Sequence, residues 1–233
     1  MEQDPFILRP NSPFGSNIDL AENPEPRVPC CLILDVSGSM MGQPINQLNA
    51  GLQRFKDDLM MDPLARKRVE IMIITFGEDV EVLTEFQTVD HFIPPTLNAS
   101  GATPMGRGVA MAMSQLADRK DAYRQHGISY YRPWLFLITD GEPNDDFGWE
   151  EVAARAKLEE AKKAFAMFCV GVEGANMETL QRFTNRDPLK LDGLRFGELF
   201  VWLSRSMKSV SNSNPGDAVP LINPTGPQGW ATV

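Results

Sequence analysis

The sequence predicts an α/β fold with a doubly wound, mostly parallel central sheet of about six strands and helices on both faces. Two observations predict it: short apolar runs recur along the chain, and segments with helical spacing of apolar residues lie between them. Strands buried on both faces read as continuous apolar runs, and their alternation with helices favours parallel pairing. Right-handed crossovers between parallel strands then place helices on both faces of the sheet.

Four apolar runs are the predicted buried strands: Cys30 to Leu34, Val69 to Phe76, Trp134 to Thr139 and Ala166 to Val172. An alternating run from Val80 to Phe86 follows the turn residues Gly77-Glu78-Asp79. This pattern predicts a hairpin and one antiparallel edge strand. Leu189 to Leu191 is a candidate for the last strand.

Helical spacing is clearest in two segments. Apolar side chains recur at intervals of three and four residues from Ile45 to Leu59 and from Phe196 to Val210. This spacing places them on one face of a helix, so we expect a helix of about four turns in each segment. The pattern also predicts helices around Val109 to Leu116 and Glu150 to Lys163.

The two ends of the chain have a different composition from its middle. Residues 1–27 are rich in Pro, Asn and acidic side chains, and residues 211–233 carry prolines with Ser, Asn and Gly. Neither end shows a sustained period, which is typical of loosely held segments. We therefore predict an N-terminal arm at 1–27, one folded domain at 28–210 and a flexible C-terminal tail at 211–233.

Charge and composition exclude several classes of partner. The formal net charge is -9, whereas affinity for nucleic acids or anionic membranes comes largely from Lys and Arg. No apolar run approaches the ~20 residues that a membrane helix needs, and the first residues resemble no signal peptide. The sequence thus predicts a cytoplasmic protein. Its three cysteines lie in apolar runs and are expected to be buried thiols.

Oxygen-bearing side chains cluster after two of the predicted strands. Asp35, Ser37 and Ser39 follow the first strand, and Asp140 follows the strand that ends at Thr139. In a doubly wound sheet, ligands bind beyond the carboxyl ends of the strands where the winding direction reverses. The loop after the first strand must curl for its side chains to share an ion, and we expect Gly38 to permit that turn. Pro44 suits the first turn of the next helix.

The chemistry of these side chains predicts a metal site. All of them offer hard oxygen atoms, and two carboxylates would balance the charge of a divalent cation. Mg²⁺ fits this set best, with Mn²⁺ and Ca²⁺ as the other candidates. The polar loop Asn98-Ala99-Ser100-Gly101-Ala102-Thr103-Pro104 supplies a third element, with Thr103 as the candidate hydroxyl.

Asp-x-Ser-x-Ser after the first strand, Gly-Ala-Thr-Pro in a middle loop and Thr-Asp-Gly after a later strand resemble the metal-ion-dependent adhesion site of von Willebrand factor A domains. The resemblance covers roughly residues 28–208. It implies that Asp35, Ser37 and Ser39 hold the ion, that Thr103 binds it directly when a partner is present, and that Asp140 contacts it directly or through water. It also implies that the sixth position takes a carboxylate from a partner protein.

Within that family, the sequence looks most like the bacterial TerY-like subgroup. The stretches that carry this similarity are Leu-Asp-Val-Ser-Gly-Ser-Met, Gly-Gln-Pro-Ile, Asn-Ala-Gly-Leu, Ile-Thr-Phe-Gly and Thr-Asp-Gly-Glu-Pro-Asn-Asp. Proteins of this subgroup are linked to tellurium resistance and to stress-response or phage-defence gene clusters. The similarity therefore implies a kinase or phosphatase from the same gene cluster as a partner.

Two alternative functions stay open at this point. One is a Mg²⁺-dependent phosphotransferase of the haloacid-dehalogenase kind, with Asp35 as its nucleophile. In that family an acid/base aspartate stands two residues later, where this chain has Ser37. The other alternative is a scaffold in which the ion only ties two loops together.

Three further features carry hypotheses. The first is an acidic rim near the proposed ion, formed by Glu142, Asp145, Asp146, Glu150 and Glu151. We interpret it as a solvated turn followed by the acidic start of a helix. The alternative is that this rim selects a partner with a basic surface.

The other two features concern the tryptophans and the last helix. Trp149 and Trp230 lie outside the core pattern, and each is a candidate anchor for a partner. In related domains the last helix moves when the metal shell changes. The corresponding helix here is predicted at Arg195 to Val210, so ligand binding would alter exposure of the tail.

Overall fold

In the computed structural model, which describes residues 18–144, 148–226 and 229–232, seven strands form one sheet in the order β3-β2-β1-β4-β5-β6-β7. The strands are β1 Val28–Asp35, β2 Val69–Phe76, β3 Val80–Thr88, β4 Trp134–Thr139, β5 Ala166–Gly171, β6 Leu189–Leu191 and β7 Ala231–Thr232. The first six include every strand that the sequence predicts. This architecture confirms the predicted doubly wound α/β fold.

Pairing within the sheet is parallel in its centre and antiparallel at both ends. β1 pairs in parallel with β2 on one side and β4 on the other, and β5 and β6 continue the parallel part. β3 pairs antiparallel with β2, as the hairpin signal predicts, and β7 pairs antiparallel with β6. The sequence predicts about six strands with one antiparallel edge strand. The described residues form seven strands, and β7 is a second antiparallel edge strand.

Helices cover both faces of the sheet. They are α1 Ile18–Glu22, α2 Gln43–Met60, α3 Ala65–Arg68, α4 Met105–Gln125, α5 Trp149–Ala161, α6 Met177–Gln181 and α7 Phe196–Ser211, and a short 3₁₀ turn spans Gly38–Met40. α2 and α7 pack together on one face, while α4 and α5 pack on the other. Pro44 occupies the first turn of α2, as predicted.

The core consists of two apolar layers, one on each side of the sheet. Alternate residues of a strand point to opposite faces, so Cys30 and Leu32 face α2 and α7 while Cys31 and Ile33 face α4 and α5. All three cysteines are free and buried, as predicted, and burial raises the pKa of each thiol well above its usual range. These thiols therefore contribute to the core as small apolar groups.

The chain after α7 returns to the sheet instead of extending away from it. Trp230 is 2% exposed and its ring packs against that of Trp202 on α7. The indole nitrogen of Trp202 donates to the carbonyl of Ile222 at 2.6 Å, and Asp192 donates its backbone N–H to the carbonyl of Trp230. Trp230 and the chain at Ile222 thus pack on the domain, whereas residues 214–218 are exposed; the flexibility of the tail 211–233 stays a prediction.

The segment before β1 is anchored by a buried charge cluster. Arg27 and Arg119 both donate to the carboxylate of Glu70, at 2.9 Å and 2.6 Å, and the hydroxyl of Tyr123 also donates to it. Arg27, Glu70 and Tyr123 have no solvent exposure. Within the predicted arm 1–27, residues 1–17 lie outside the described residues. No described helix is both long enough and apolar enough to span a membrane.

Candidate metal centre

The candidate site lies at the carboxyl ends of the two central strands, β1 and β4. Asp35 is the last residue of β1, and Asp140 follows Thr139, the last residue of β4. β1 and β4 are neighbours, with Leu34 opposite Ile138. The crossover from β1 leads to β2 on one side, whereas β4 lies on the other side, so this is the point where the winding reverses.

Asp35 is buried and hydrogen-bonded through both carboxylate oxygens. Its Oδ1 accepts the backbone N–H of Ser37 at 2.8 Å, and its Oδ2 accepts the hydroxyl of Thr139 at 2.5 Å. The Thr139 hydroxyl in turn accepts the N–H of Gly141 at 3.1 Å. Asp35 has no solvent exposure. Its carboxylate is therefore fixed in position by the loops that follow both strands.

A chain of hydrogen bonds joins the next three predicted residues. The hydroxyls of Ser37 and Ser39 lie 3.0 Å apart, and Ser39 donates its hydroxyl to Oδ1 of Asp140 at 2.7 Å. Ser37 is buried and Ser39 is exposed. The structure thus brings Asp35, Ser37, Ser39 and Asp140 to one crevice, with its open side at Ser39.

Thr103 reaches the same crevice from the loop before α4. It is buried, and its backbone N–H donates to Oδ1 of Asn144 at 2.7 Å, while the N–H of Asn144 donates to the carbonyl of Thr103. A Cβ added at Gly141 would lie 3.3 Å from Oγ1 of Thr103 and 3.8 Å from Oδ2 of Asp35. The Thr103 hydroxyl and the Asp35 carboxylate therefore converge across Gly141.

Backbone contacts hold the three loops together. Ser100 donates its N–H to the carbonyl of Val36 at 2.7 Å, and Gly38 donates its N–H to the carbonyl of Gly101 at 3.1 Å. Gly101 has a φ of +80°, and a Cβ there would lie 2.3 Å from the backbone nitrogen of Glu78. Only glycine therefore fits at 101 without moving the hairpin turn.

The predicted role of Gly38 is different in the structure. Its φ is not positive, and a Cβ added there would meet the carbonyl oxygen of Gly101 at 3.6 Å, an ordinary contact. The loop curls through a short 3₁₀ turn at Gly38–Met40, which other residues also adopt. The positive φ of this region falls on Gly42, just before α2.

The electrostatics of the crevice favour a cation. Burial raises the pKa of Asp35 from its usual 3.8 to about 6, and the charge of Asp140 acts in the same direction, while the hydrogen bonds from Ser37 and Thr139 lower it. No described group of three or more His, Cys, Asp or Glu side chains is arranged to hold a metal. Two carboxylates and three hydroxyls nevertheless fit a hard divalent cation such as Mg²⁺, because their oxygen atoms match its preference.

Two supporting residues were missed by the sequence analysis. Thr139 orients Asp35, and Asn144 holds the backbone on both sides of the Thr103 peptide. A threonine at the end of an apolar strand is a signal for the first, because it follows Ile138, which lies opposite Leu34 where β1 pairs with β4. No local signal identifies Asn144, since its partner is 41 residues away.

The acidic rim is only partly described. Asp145 and Asp146 lie outside the described residues. Glu142 accepts the side-chain N–H of Asn176 at 2.5 Å, while Glu150 and Glu151 occupy the first turn of α5. The position of the last two matches the helix-start interpretation.

The two candidate tryptophan anchors differ in their surroundings. Trp230 is buried against α7, so it is not available to anchor a partner. Trp149 is half-buried at the start of α5, where its ring stacks on Phe183 and contacts the guanidinium of Arg182.

Comparison with protein families identifies the domain type. The sequence profile of the von Willebrand factor type A domain matches residues 31–191. A curated uncharacterised protein of Synechocystis sp. is 28% identical over 129 residues, which are 52% of this chain and 27% of that protein. The chain thus spans about a quarter of the length of this relative.

Similar solved structures share the fold at low sequence identity. The pilus adhesin SpaC of Lactobacillus rhamnosus GG has a TM-score of 0.62 and 14% identity over 81% of this chain and 31% of that chain. Proximal thread matrix protein 1 of the mussel byssus, solved with a zinc-occupied MIDAS motif, has a TM-score of 0.52 and 13% identity over 79% of this chain and 48% of that chain.

Proposed function

Because the chain belongs to the von Willebrand factor type A domain family, whose members commonly mediate metal-dependent protein–protein interactions, we propose that it is a metal-dependent binding module. In this proposal one divalent cation at a metal-ion-dependent adhesion site coordinates an acidic residue of a partner protein. Domains of this family are generally interaction modules and not enzymes, and the proposed role follows that pattern.

The proposed ligands are the five residues of the candidate site. Asp35, Ser37 and Ser39 would hold the ion from the loop after β1, and Asp140 would reach it directly or through water. Thr103 would bind it when the partner is present. When bound, the cation supplies a positive charge with fixed directions of coordination, which gives a partner carboxylate both attraction and orientation.

The observation that carries this proposal is the burial of Asp35 beside a second carboxylate. A buried, ionised carboxylate is costly unless a cation compensates its charge. No described Lys, Arg or His forms an ion pair with Asp35 or Asp140. A metal ion is the compensating charge that the surrounding hydroxyls suit, because they add neutral oxygen ligands without adding further negative charge.

Mg²⁺ is the cation that we propose, with Mn²⁺ and Ca²⁺ as alternatives. The donor set contains only carboxylate and hydroxyl oxygens, and Mg²⁺ binds such oxygens while retaining several waters. A carboxylate of the partner would replace one of these waters on the ion. Zn²⁺ prefers nitrogen and sulfur ligands, which the candidate site lacks.

We further propose a bacterial, TerY-like setting. The sequence motifs that support it imply a stress-response, tellurium-resistance or defence-type system, with a kinase or phosphatase from the same gene cluster as the partner. A cytoplasmic location belongs to the same proposal. The three cysteines are free and buried, as is typical of proteins in a reducing compartment.

The phosphotransferase alternative has less support from the geometry. A nucleophilic carboxylate works beside an acid/base group, whereas the groups that contact the Asp35 carboxylate are the backbone N–H of Ser37 and the hydroxyl of Thr139. Ser37 stands where that chemistry needs an acid/base aspartate. Steady phosphatase turnover that disappears in Asp35→Asn would revive this alternative.

The decisive experiment is an affinity pull-down from the source cell with Mg²⁺ or with EDTA. Wild type is compared with Asp35→Ala and with Asp57→Ala, which removes an exposed carboxylate on α2. Partners that are lost in EDTA and in Asp35→Ala, but kept by Asp57→Ala, support the metal-dependent module. Partners that persist under all conditions would refute it and leave the ion a structural role.

A further inference from the structure

A groove opens beside the candidate site, between the β2–β3 hairpin and the loop 94–101. Its volume is about 270 Å³, far above the space that one water molecule needs. The residues that matter for its chemistry are Val36, Thr75, Glu78, Asp79, Glu81 and Leu83. This acidic groove has room for one long side chain.

The charge of the acidic groove is uncompensated. Glu78, Asp79 and Glu81 are exposed, and none of the residues that line the groove is a Lys, Arg or His. None of these three carboxylates forms an ion pair with any residue in the described ranges. The groove therefore favours a positively charged occupant.

A threonine that is almost wholly buried at the groove points independently to a ligand. Thr75 is 4% exposed and lines the groove, and its hydroxyl has no hydrogen-bond partner among the described residues. Its oxygen is not fully buried and therefore faces the groove, where polar groups normally find a hydrogen-bond partner. An N–H group in the groove would provide the missing partner, since a hydroxyl oxygen has two acceptor lone pairs.

The apolar part of the groove fits the stem of a basic side chain. Leu83 is 37% exposed on the edge strand β3 and lies beside the carboxylates. Lysine and arginine lay their methylene groups along such apolar surface while their charged ends contact polar groups. A long basic side chain therefore matches both the apolar and the acidic part of the groove.

A second metal ion is a poorer match. An ion would need several carboxylates to converge within ligating distance. Among the residues that the structure describes, no three His, Cys, Asp or Glu side chains meet in that way. The three carboxylates of the groove form no such group, and they suit the larger ammonium or guanidinium group.

We propose that the acidic groove binds a lysine or arginine side chain of the same partner segment that offers its carboxylate to the metal; this inference rests on the proposed function. The two sites share their loops: Val36 follows Asp35, so their Cα atoms are about 3.8 Å apart, and Ser100 donates to the carbonyl of Val36. One short peptide segment with an acidic and a basic residue spans both.

The test uses a random peptide display library on the 233-residue chain in Mg²⁺ and in EDTA. Wild type is compared with Glu78→Gln/Glu81→Gln and with a control of equal charge change, Glu22→Gln/Asp57→Asn, at exposed positions outside the groove. Wild type and control should select peptides that combine Asp or Glu with Lys or Arg. The groove variant should still select the acidic residue in Mg²⁺ but lose the basic one.

Fluorescence anisotropy with the best selected peptide then measures the coupling. Replacing its basic residue by Gln should weaken binding to wild type by about three- to tenfold, as expected for two or three exposed ion pairs. The same replacement should change binding to Glu78→Gln/Glu81→Gln by less than about twofold. This comparison is made within one protein at a time, so it stays valid if the variant is less stable.

Four outcomes would overturn the inference. Equal enrichment of basic residues by wild type and the groove variant would remove the groove from recognition. A second equivalent of Mn²⁺ bound by wild type and lost in Glu78→Gln/Glu81→Gln would make the groove a metal site. Absence of any Mg²⁺-dependent selection of acidic residues would refute the proposed function itself, whereas its presence without basic residues refutes only the inference.

Discussion

Neutralising Asp35 should stabilise the metal-free protein. Burial raises the pKa of this carboxyl from 3.8 to about 6, a difference that corresponds to about 3 kcal/mol of free energy. Because the folded-state pKa is raised, the stabilising contribution is complete below pH 3.8 and is lost as pH rises through about 6. At neutral pH the metal-free fold therefore carries nearly the whole penalty.

Asp35→Asn removes the charge while it keeps the size of the side chain. Its carbonyl oxygen still accepts the N–H of Ser37, and the Thr139 hydroxyl accepts from the new amide in place of donating to a carboxylate. We expect the free energy of unfolding in EDTA at neutral pH to rise by up to about 3 kcal/mol. In excess Mg²⁺ wild type should gain about 2.7 kcal/mol at a hundred times its Kd, and the variant should gain almost none.

The assay is urea unfolding followed by tryptophan fluorescence, at neutral pH and near pH 5, with EDTA or Mg²⁺. In EDTA the difference in free energy of unfolding between Asp35→Asn and wild type should be smaller near pH 5, because Asp35 of the folded wild type is then protonated. Asp140→Asn is the control: its half-exposed carboxylate is hydrated, so this change should reduce the Mg²⁺ response with little gain in EDTA. An Asp35→Asn protein that is less stable than wild type in EDTA, or equally stabilised by Mg²⁺, would refute the reasoning.

Three further predictions test other parts of the molecule. Thr103→Val should weaken the Mg²⁺-dependent binding of an acidic partner peptide by roughly tenfold, the scale seen for perturbed metal shells, whereas Thr103→Ser should retain that binding in the same titration. Glu70→Gln should lower the free energy of unfolding by about 3 to 5 kcal/mol, because it leaves Arg27 and Arg119 buried without a full counter-charge, and an unchanged urea midpoint would contradict this. Trp230→Ala should lower the free energy of unfolding by about 3 kcal/mol and expose the segment after α7 to protease, and unchanged cleavage in the variant would contradict this packing. In wild type, cleavage of the tail that is the same with and without Mg²⁺ would count against a link between the tail and the metal site.

The sequence was sufficient for the central sheet because each central strand is buried on both faces. Residues such as Leu32 and Phe136 are buried and lie in continuous apolar runs, so the sequence itself indicates their burial. β7 is different: it has two residues, Ala231–Thr232, and it exists because Trp230 packs on α7. A strand that short has no period of its own, so only the tertiary contact reveals it.

The same distinction applies to the candidate site. The site residues that follow β1 and β4 could be predicted, because the local apolar pattern shows where these two strands end. The charge cluster of Arg27, Glu70 and Arg119 does not, because Glu70 is separated from its two partners by 43 and 49 residues. Nothing near Glu70 in the chain distinguishes it from an exposed strand glutamate until β2 is paired and α4 is packed.

The two negative regions at this end of the sheet should contribute to binding in different ways. The Asp35 carboxylate is shielded from water, so its attraction for a cation is strong and little weakened by salt. Glu78 and Glu81 are exposed, and their attraction for a basic side chain is weak and screened. In the proposed arrangement the metal therefore supplies most of the affinity. The acidic groove supplies selection among acidic peptides and a faster encounter, and both of these contributions decline as salt is raised.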